Sequence, residues 1–410
     1  MISQNRRALV ALLFGGTTLW TAPAVAATND FIDLQAGLGY SSNPFLRLDN
    51  NSSAFGRLSI YGQHAWQSEK GKTSLSAYLE NTTYFNHYGS KQIFDLNAHT
   101  QQAVSETVSI FGNATFSGDF AGQLSNRLYF VPSEPPPGDV GNPLPPPTNN
   151  PDLIGLSGRQ YRVSGEVGAS IRAGPKGTVS IAAGAERLIF TGNNEPPDYN
   201  IFFGSLGYHH QVSARTQVGG SVYFQRQDFA GSDYSNVINP VVTLHSQLSE
   251  TLVVDAEVGA LVIERHHGGD SRTSTTPSFR LGLCSRGTVS SFCGHVSRDA
   301  QSALGTGIPN TSGQSSITTE GGLNYYRHLN RDDTLQASLT ASHYSTPDPL
   351  PGQNFQSTYL STVLGYDHKF GQRFSAGVHL GARELYQPGP NPNTDFNGSL
   401  YLRYRIGQLL

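Results

Sequence analysis

The chain contains little charge: Asp, Glu, Lys and Arg together make up 14% of its 410 residues, whereas about a quarter is usual in soluble domains. Cysteine, methionine and tryptophan are also scarce, with 2, 1 and 2 residues. After the leader, no apolar stretch reaches the roughly 18 residues of a membrane-spanning helix, which excludes a helical membrane protein. The formal net charge is −3 and no basic cluster occurs, so nucleic acid is not an expected partner.

The N-terminus has the pattern of a secretory signal peptide. Arg6 and Arg7 are positively charged, residues 8–14 are apolar, and residues 24–26 (Ala-Val-Ala) supply the small side chains of a cleavage site. This order of features is typical of exported proteins. We therefore predict that residues 1–26 are a signal peptide and that residues 27–410 form one exported domain.

Residues 27–410 are dominated by segments in which apolar and polar side chains alternate. In residues 251–264, for example, Leu252, Val254, Ala256 and Val258 share one face of an extended chain. This period of two predicts β-strands with one apolar face. About eighteen such segments occur by this template. They begin near Phe31, Ser53, Thr73, Lys91, Glu106, Arg159, Thr178, Ile201, Thr216, Asn236, Thr251, Ser274, Thr288, Ser316, Asp333, Phe355, Arg373 and Thr394.

The connections between these segments alternate between short and long. Residues 67–72, 213–215 and 371–372 are tight turns, whereas residues 191–200 and 345–354 are longer and rich in proline, glycine and asparagine. The alternation is typical of an up-and-down antiparallel barrel that spans an outer membrane, with short periplasmic turns and long external loops. A soluble propeller would need four short strands per blade, whereas these segments are long. If this sequence formed one, the apolar faces of its strands would be exposed to water. The sequence therefore predicts an all-β transmembrane barrel of about eighteen strands.

The longest connection, residues 118–157, contains nine prolines. Two interpretations remain open. The segment either folds into the bore and constricts it, or it is an external arm with polyproline character.

A barrel of this size has a bore too wide for side chains alone to fill. The side chains that alternate with the apolar face are expected to line it. Charges of both signs in this set either select charged solutes or pair with one another and merely solvate the wall. Tyrosines in the same set either stack against sugar rings or pack within the barrel. The pore-lining candidates are Arg57, Arg162, Arg172, Glu166, Arg280, Arg383, Arg403 and Arg405, and the sugar-stacking candidates are Tyr223, Tyr326, Tyr359 and Tyr401.

The two cysteines, Cys284 and Cys293, fall on consecutive predicted strands and on the same face. A two-residue turn at residues 286–287 would leave them too far apart for a disulfide. A wider bend centred on residues 288–289 would bring them opposite each other, within the roughly 7 Å between Cα atoms that a disulfide needs. A disulfide therefore requires the wider bend.

Two short motifs resemble the beta-barrel porin 2 family. They are residues 39–45 (Gly-Tyr-Ser-Ser-Asn-Pro-Phe) and residues 283–287 (Leu-Cys-Ser-Arg-Gly) followed by Cys293 and Arg298. The resemblance implies an exported outer-membrane barrel, and many family members are assigned to exopolysaccharide gene clusters. It therefore implies a channel for exopolysaccharide export, with outer-membrane lipid, polysaccharide and periplasmic export components as partners.

A general or solute-selective diffusion porin and a non-conducting structural barrel are the alternative functions. No motif of a hydrolase, metalloprotease or phosphate-binding loop occurs. We therefore expect neither enzymatic activity nor a cofactor or metal.

Overall fold

The computed structural model describes residues 27–46, 51–120, 159–191, 198–229, 233–267, 270–303, 314–345, 356–387 and 393–408. Within them the chain forms eighteen β-strands. The first nine are β1 (Ala27–Ser41), β2 (Ser53–Ser68), β3 (Gly71–Tyr84), β4 (Gly89–Ala103), β5 (Val108–Phe120), β6 (Arg159–Arg172), β7 (Gly177–Thr191), β8 (Tyr199–Ser213) and β9 (Thr216–Asp228). The others are β10 (Tyr234–Gln247), β11 (Leu252–His267), β12 (Asp270–Arg286), β13 (Ser290–Ala303), β14 (Gln314–His328), β15 (Asp333–Ser345), β16 (Gln356–Lys369), β17 (Phe374–Tyr386) and β18 (Asn393–Gln408).

The strands form a single closed sheet. Each strand pairs antiparallel with its neighbours in sequence, and β1 pairs with both β2 and β18. Closure leaves no free edge, so each strand has a hydrogen-bonding partner on both sides. The prediction of an all-β, up-and-down antiparallel barrel of about eighteen strands is confirmed. Among the residues that the structure describes, there is no helix with the length and hydropathy needed to cross a membrane.

The two faces of each strand differ in chemistry. In β18, for example, Leu400 and Leu402 are exposed on one face, whereas Asp395 and Asn397 are buried on the other. The second face is the inner one, because its side chains reach strands that are not adjacent: the hydroxyl of Tyr401 in β18 donates to a carboxylate in β16. Such contacts form only where side chains converge on the concave side of a sheet. The outer surface is therefore apolar and the bore is polar.

The turns after the even-numbered strands contain only two to four residues. Two of them depend on glycines in the left-handed region, Gly174 with φ 89° and Gly371 with φ 124°, where an L side chain would be strained. The predicted signal peptide, residues 1–26, and most of the proline-rich loop, from residue 121 to residue 158, lie outside the described residues.

Candidate functional site

The bore is the candidate functional site. All eight pore-lining candidates lie on the inner face, because in each strand they alternate with exposed apolar residues such as Leu58 in β2, Val167 in β6 and Leu402 in β18. The structure divides the eight into two groups. Four of them are largely covered and lie on β2, β17 and β18, whereas the other four lie on β6 and β12, elsewhere in the wall.

Arg403 and Arg405 of the first group form ion pairs with carboxylates of other strands. The guanidinium of Arg405 donates to both oxygens of Asp33 in β1, at 2.6 and 2.7 Å. The guanidinium of Arg403 lies 3.4 Å from Asp367 in β16, which also accepts the Tyr401 hydroxyl at 2.6 Å. These positive charges are neutralised by carboxylates, so this part of the wall presents little net field to a solute.

Arg57 in β2 is similarly paired. Its guanidinium lies 3.6 Å from the carboxylate of Glu80 in β3. Glu80 also accepts the Tyr78 hydroxyl and, at 2.9 Å, the Thr82 hydroxyl. For Arg57, Arg403 and Arg405, the geometry matches the interpretation of a mutually paired wall.

The remaining member, Arg383, is part of an anchor that holds the first loop inside the barrel. Its guanidinium donates twice to Asp395, at 3.0 and 2.5 Å, and once to the carbonyl of Pro44, at 3.2 Å. The other oxygen of Asp395 accepts the Ser41 hydroxyl at 2.6 Å and the backbone N–H of Asn43 at 2.9 Å. Asp395 is fully buried, so one charged pair fixes β17, β18 and the loop after β1 to each other.

Apolar packing completes this arrangement. Phe45 packs against Tyr84 and Tyr88, with ring centroids 5.5 and 4.5 Å apart. Leu46 is buried against Tyr359 and Leu385. Leu46 has a φ of 50°, a conformation that L residues other than glycine, asparagine and aspartate seldom adopt. The motif of residues 39–45 therefore leads into a loop that lies on the inner wall and takes up part of the bore.

The parts of the wall around β6 and β12 carry charges that are accessible to water. The guanidinium of Arg162 donates to Glu186 at 2.6 Å, and that of Arg280 donates to Glu257 at 3.1 Å. The Arg280 side chain is 55% exposed despite this pair and despite Asp299 at 3.7 Å. Arg172 is exposed at the end of β6, and Glu166 accepts an Asn113 amide N–H at 3.1 Å. These side chains are therefore open to the bore.

The four sugar-stacking candidates do not have equivalent surroundings. Tyr359 and Tyr401 are 1% and 5% exposed, the first because Leu46 covers it and the second because its hydroxyl is bonded to Asp367 within the wall. Sugar stacking at these two positions is therefore wrong: neither ring has a free face. Tyr326 is half-buried with its hydroxyl 3.2 Å from His328. Tyr223 is 37% exposed and remains available to a solute.

Cys284 and Cys293 form a disulfide. They stand directly opposite each other in the β12–β13 register, with Cα atoms 4.1 Å apart. Residues 287–289 connect the strands, and the N–H of Gly287 donates to the carbonyl of Ser290 at 2.8 Å. This is the wider bend that a disulfide requires.

The acidic partners of the covered arginines were not among the candidates. Asp33, Asp367 and Asp395 share the inner parity of their strands with the arginines that they bind. That parity is a signal in the sequence, but it does not identify which carboxylate meets which guanidinium. His379, which is fully buried with its ring 5.0 Å from that of Tyr401, was also missed.

No protein-family model and no curated protein sequence matches the chain. Among solved structures, it is similar to OccK2 (OpdF) of Pseudomonas aeruginosa, with 9% identity, a TM-score of 0.47, and coverage of 94% of this chain and 99% of that one. For the outer membrane protein opdK of Pseudomonas aeruginosa the values are 11%, 0.44, 93% and 99%. For the FrpB iron transporter of Neisseria meningitidis they are 8%, 0.45, 92% and 81%.

Proposed function

We propose that the protein is an outer-membrane channel that passes hydrophilic solutes through its bore. One observation carries the proposal: the closed barrel has an apolar outer face and a polar, charged inner face. A hydrocarbon environment demands the first property, since the closed sheet pairs every strand with a neighbour on each side and the outer side chains are apolar. Water in the bore accounts for the second.

The first loop sets the width of the bore in this proposal. It is anchored to the inner wall by Asp395 and Arg383, and it narrows the passage beside the water-accessible wall that carries Arg162 and Arg280. A solute passing this level meets charges of both signs. We therefore expect weak ion selectivity, with discrimination mainly by size.

We further propose an exopolysaccharide as the physiological cargo, which rests on the family resemblance. In the structure, Tyr223 supports it modestly as an exposed ring on the inner face. Diffusion of small solutes is the second candidate, favoured by the paired charges of the covered wall. A sugar-export assay in a deletion strain separates the two candidates. If the deletion abolishes polysaccharide export and expression of the Tyr223→Ala variant does not restore it, exopolysaccharide is supported as the cargo. If the deletion strain exports polysaccharide normally, diffusion of small solutes is supported.

Conductance in planar bilayers tests the channel itself. Purified protein should give stepwise current at both low and high salt concentration. Small neutral polyethylene glycols should enter the bore, whereas large ones should be excluded from it. Absence of current would favour the non-conducting structural barrel.

The orientation is tested separately: a peptide tag within residues 143–150 should be reached by antibody on intact cells, whereas one within residues 67–72 should not. Equal labelling at both positions contradicts the orientation.

A further inference from the structure

The hydrogen-bond ladder between β12 and β13 is short. It runs only from Phe279 opposite Arg298 to Arg286 opposite Ser291. Both strands continue beyond it: residues 270–278 remain paired with β11, and residues 299–303 remain paired with β14. The wall therefore separates between two strands that are each intact on their other side. We call this separation the seam.

The cause of the separation lies at Pro277. In β12 the backbone N–H groups of odd-numbered residues point toward β13, since the Gly287 N–H bonds to Ser290 of β13 while the Arg286 N–H bonds to Thr251, the residue before β11. The rung after Phe279 would require an N–H from Pro277, and proline has none. The partner at that rung, Ala300, donates its N–H to the carboxylate of Asp299 instead, at 2.8 Å. The ladder stops at this rung because Pro277 has no N–H and the N–H of Ala300 is already bonded to Asp299.

Beyond this point the β13–β14 sheet passes inside β12. Arg298 lies on the same face of β13 as the outward-facing Phe292. Its guanidinium donates to the hydroxyl of Thr276, on the inner face of β12, at 3.3 Å and to the hydroxyl of Thr319 of β14 at 3.0 Å. The outer face of one sheet thus lies against the inner face of the other. Here the wall overlaps, and side chains rather than backbone bonds hold it.

An apolar cluster fills the overlap. It comprises Val237 of β10, Leu261 and Ile263 of β11, and Ile317 of β14, with Ala300 of β13 packed against it. Leu261 and Ile263 are 0% exposed. Ile317 lies on the same face of β14 as Leu323, which is exposed on the outside of the barrel. One face of β14 therefore leads from the membrane surface into the overlap.

The seam opens in the half of the barrel that carries the long connections. It begins beyond Phe279, which is level with the outward-facing Val258, and extends past Thr275, level with Val262, to the end of β12 at Asp270. Along it, the outward side chains of β12 are Ser271, Thr273, Thr275 and Pro277, and all four are exposed. A hydroxyl-bearing strip thus borders an apolar overlap on the side of the barrel with the long connections.

We propose that the seam is a lateral passage through which a single-chain amphiphile moves between the bore and the outer leaflet. The hydroxyl strip and the bore offer hydrogen bonds to a polar head group, and the cluster around Ile317 offers an apolar path to the chain. Opening costs no backbone hydrogen bonds, because the strands above Phe279 share none. The proposal rests on the membrane location that we propose for the barrel, and it adds a route that differs from the axial one.

Cysteine labelling from the bilayer tests whether the seam opens. Ile317→Cys, Leu323→Cys and Leu385→Cys are reconstituted in phosphatidylcholine vesicles and treated with N-dodecylmaleimide. The native cysteines are oxidised and do not react. Leu323→Cys should react fastest because it faces lipid. Ile317→Cys should react roughly tenfold faster than Leu385→Cys, whose site is buried under the first loop, because only the former lies on an opening element. Equal rates for these two sites would overturn the proposal.

A locked variant tests the passage independently of labelling. Leu261→Cys combined with Ile317→Cys is cross-linked across the overlap with bismaleimidoethane and compared with the same protein without linker. Lysophosphatidylcholine mixed into a planar bilayer should block the current of the unlinked barrel and leave the linked barrel unblocked, with equal conductance before the lipid is added. Equal block of both contradicts a lateral route. If neither form conducts, the channel function fails, while the labelling rates still decide whether the seam opens.

Discussion

Replacing Asp395 by Asn should release the first loop and widen the bore. The carboxylate accepts two hydrogen bonds from Arg383, one from the Ser41 hydroxyl, one from the Asn43 N–H and one from the Asn397 amide. An amide at this position keeps the shape but cannot neutralise Arg383, which is 7% exposed. Breaking a buried charged pair by removing one partner costs about 3–5 kcal/mol.

The assay combines stability with conductance. The free energy of unfolding, measured by urea titration of the vesicle-inserted barrel, should fall by about 3–5 kcal/mol. Single-channel conductance should rise, because residues 42–46 no longer occupy the inner wall. Asp395→Leu combined with Arg383→Met removes both charges, so it should recover most of the stability while keeping the higher conductance.

The control distinguishes loop release from a general loosening of the wall. Asp367→Asn disrupts the comparable pair with Arg403, whose guanidinium is bonded to Asp367 and to Ser375 of β17. This variant should lose stability without a gain in conductance. If Asp395→Asn conducts like the unmodified protein, the loop does not define the width of the bore and the reasoning fails.

Three further outcomes are expected. Val258→Arg should block assembly, since a cation at the midplane of the outer face costs about 2–4 kcal/mol. Glu257→Arg, on the inner face, should assemble. Heat-modifiability gels measure assembly, and the opposite result would show that the face assignment is one residue out of register. Replacing both Cys284 and Cys293 by Ser should lower the free energy of unfolding by a few kcal/mol, about 3 at most, without a change in ion selectivity. Arg280→Gln removes a water-accessible cation and should shift the reversal potential in a salt gradient toward cation preference, whereas an unchanged potential would mean that its acidic neighbours already screen it.

The strands were predictable because alternation is a local property. Each of the eighteen segments begins within four residues of the observed strand, with the largest offsets at β1 and β12. The inner and outer faces were equally accessible, since one exposed apolar residue fixes the parity of the whole strand. Arg57 and Arg162 were therefore assigned to the inner face from their neighbours alone.

The contents of the bore were not predictable in the same way. Asp395 and Ser41 are 354 positions apart in sequence, and nothing near either residue indicates that they meet. Tyr359 has the parity of a pore-lining residue, but it is covered by Leu46, which lies far from it in the sequence. Two local conflicts in the sequence point to the seam: Arg298 has outward parity at a depth where a cation is costly, and Pro277 lies inside a strand where it cannot donate to the ladder.

The disulfide lies at the base of the shortest ladder in the ring. A closed sheet is normally held together by every one of its ladders, so that parting two strands at one end threatens to unzip them to the other. Between β12 and β13 the bond from Cys284 to Cys293 stands between the last rung at Phe279 and the turn. It is covalent, so the circle stays closed however far the upper strands move apart. The barrel thereby tolerates the missing hydrogen bonds between the upper parts of β12 and β13. Without the disulfide, the same separation could spread along the whole length of the two strands.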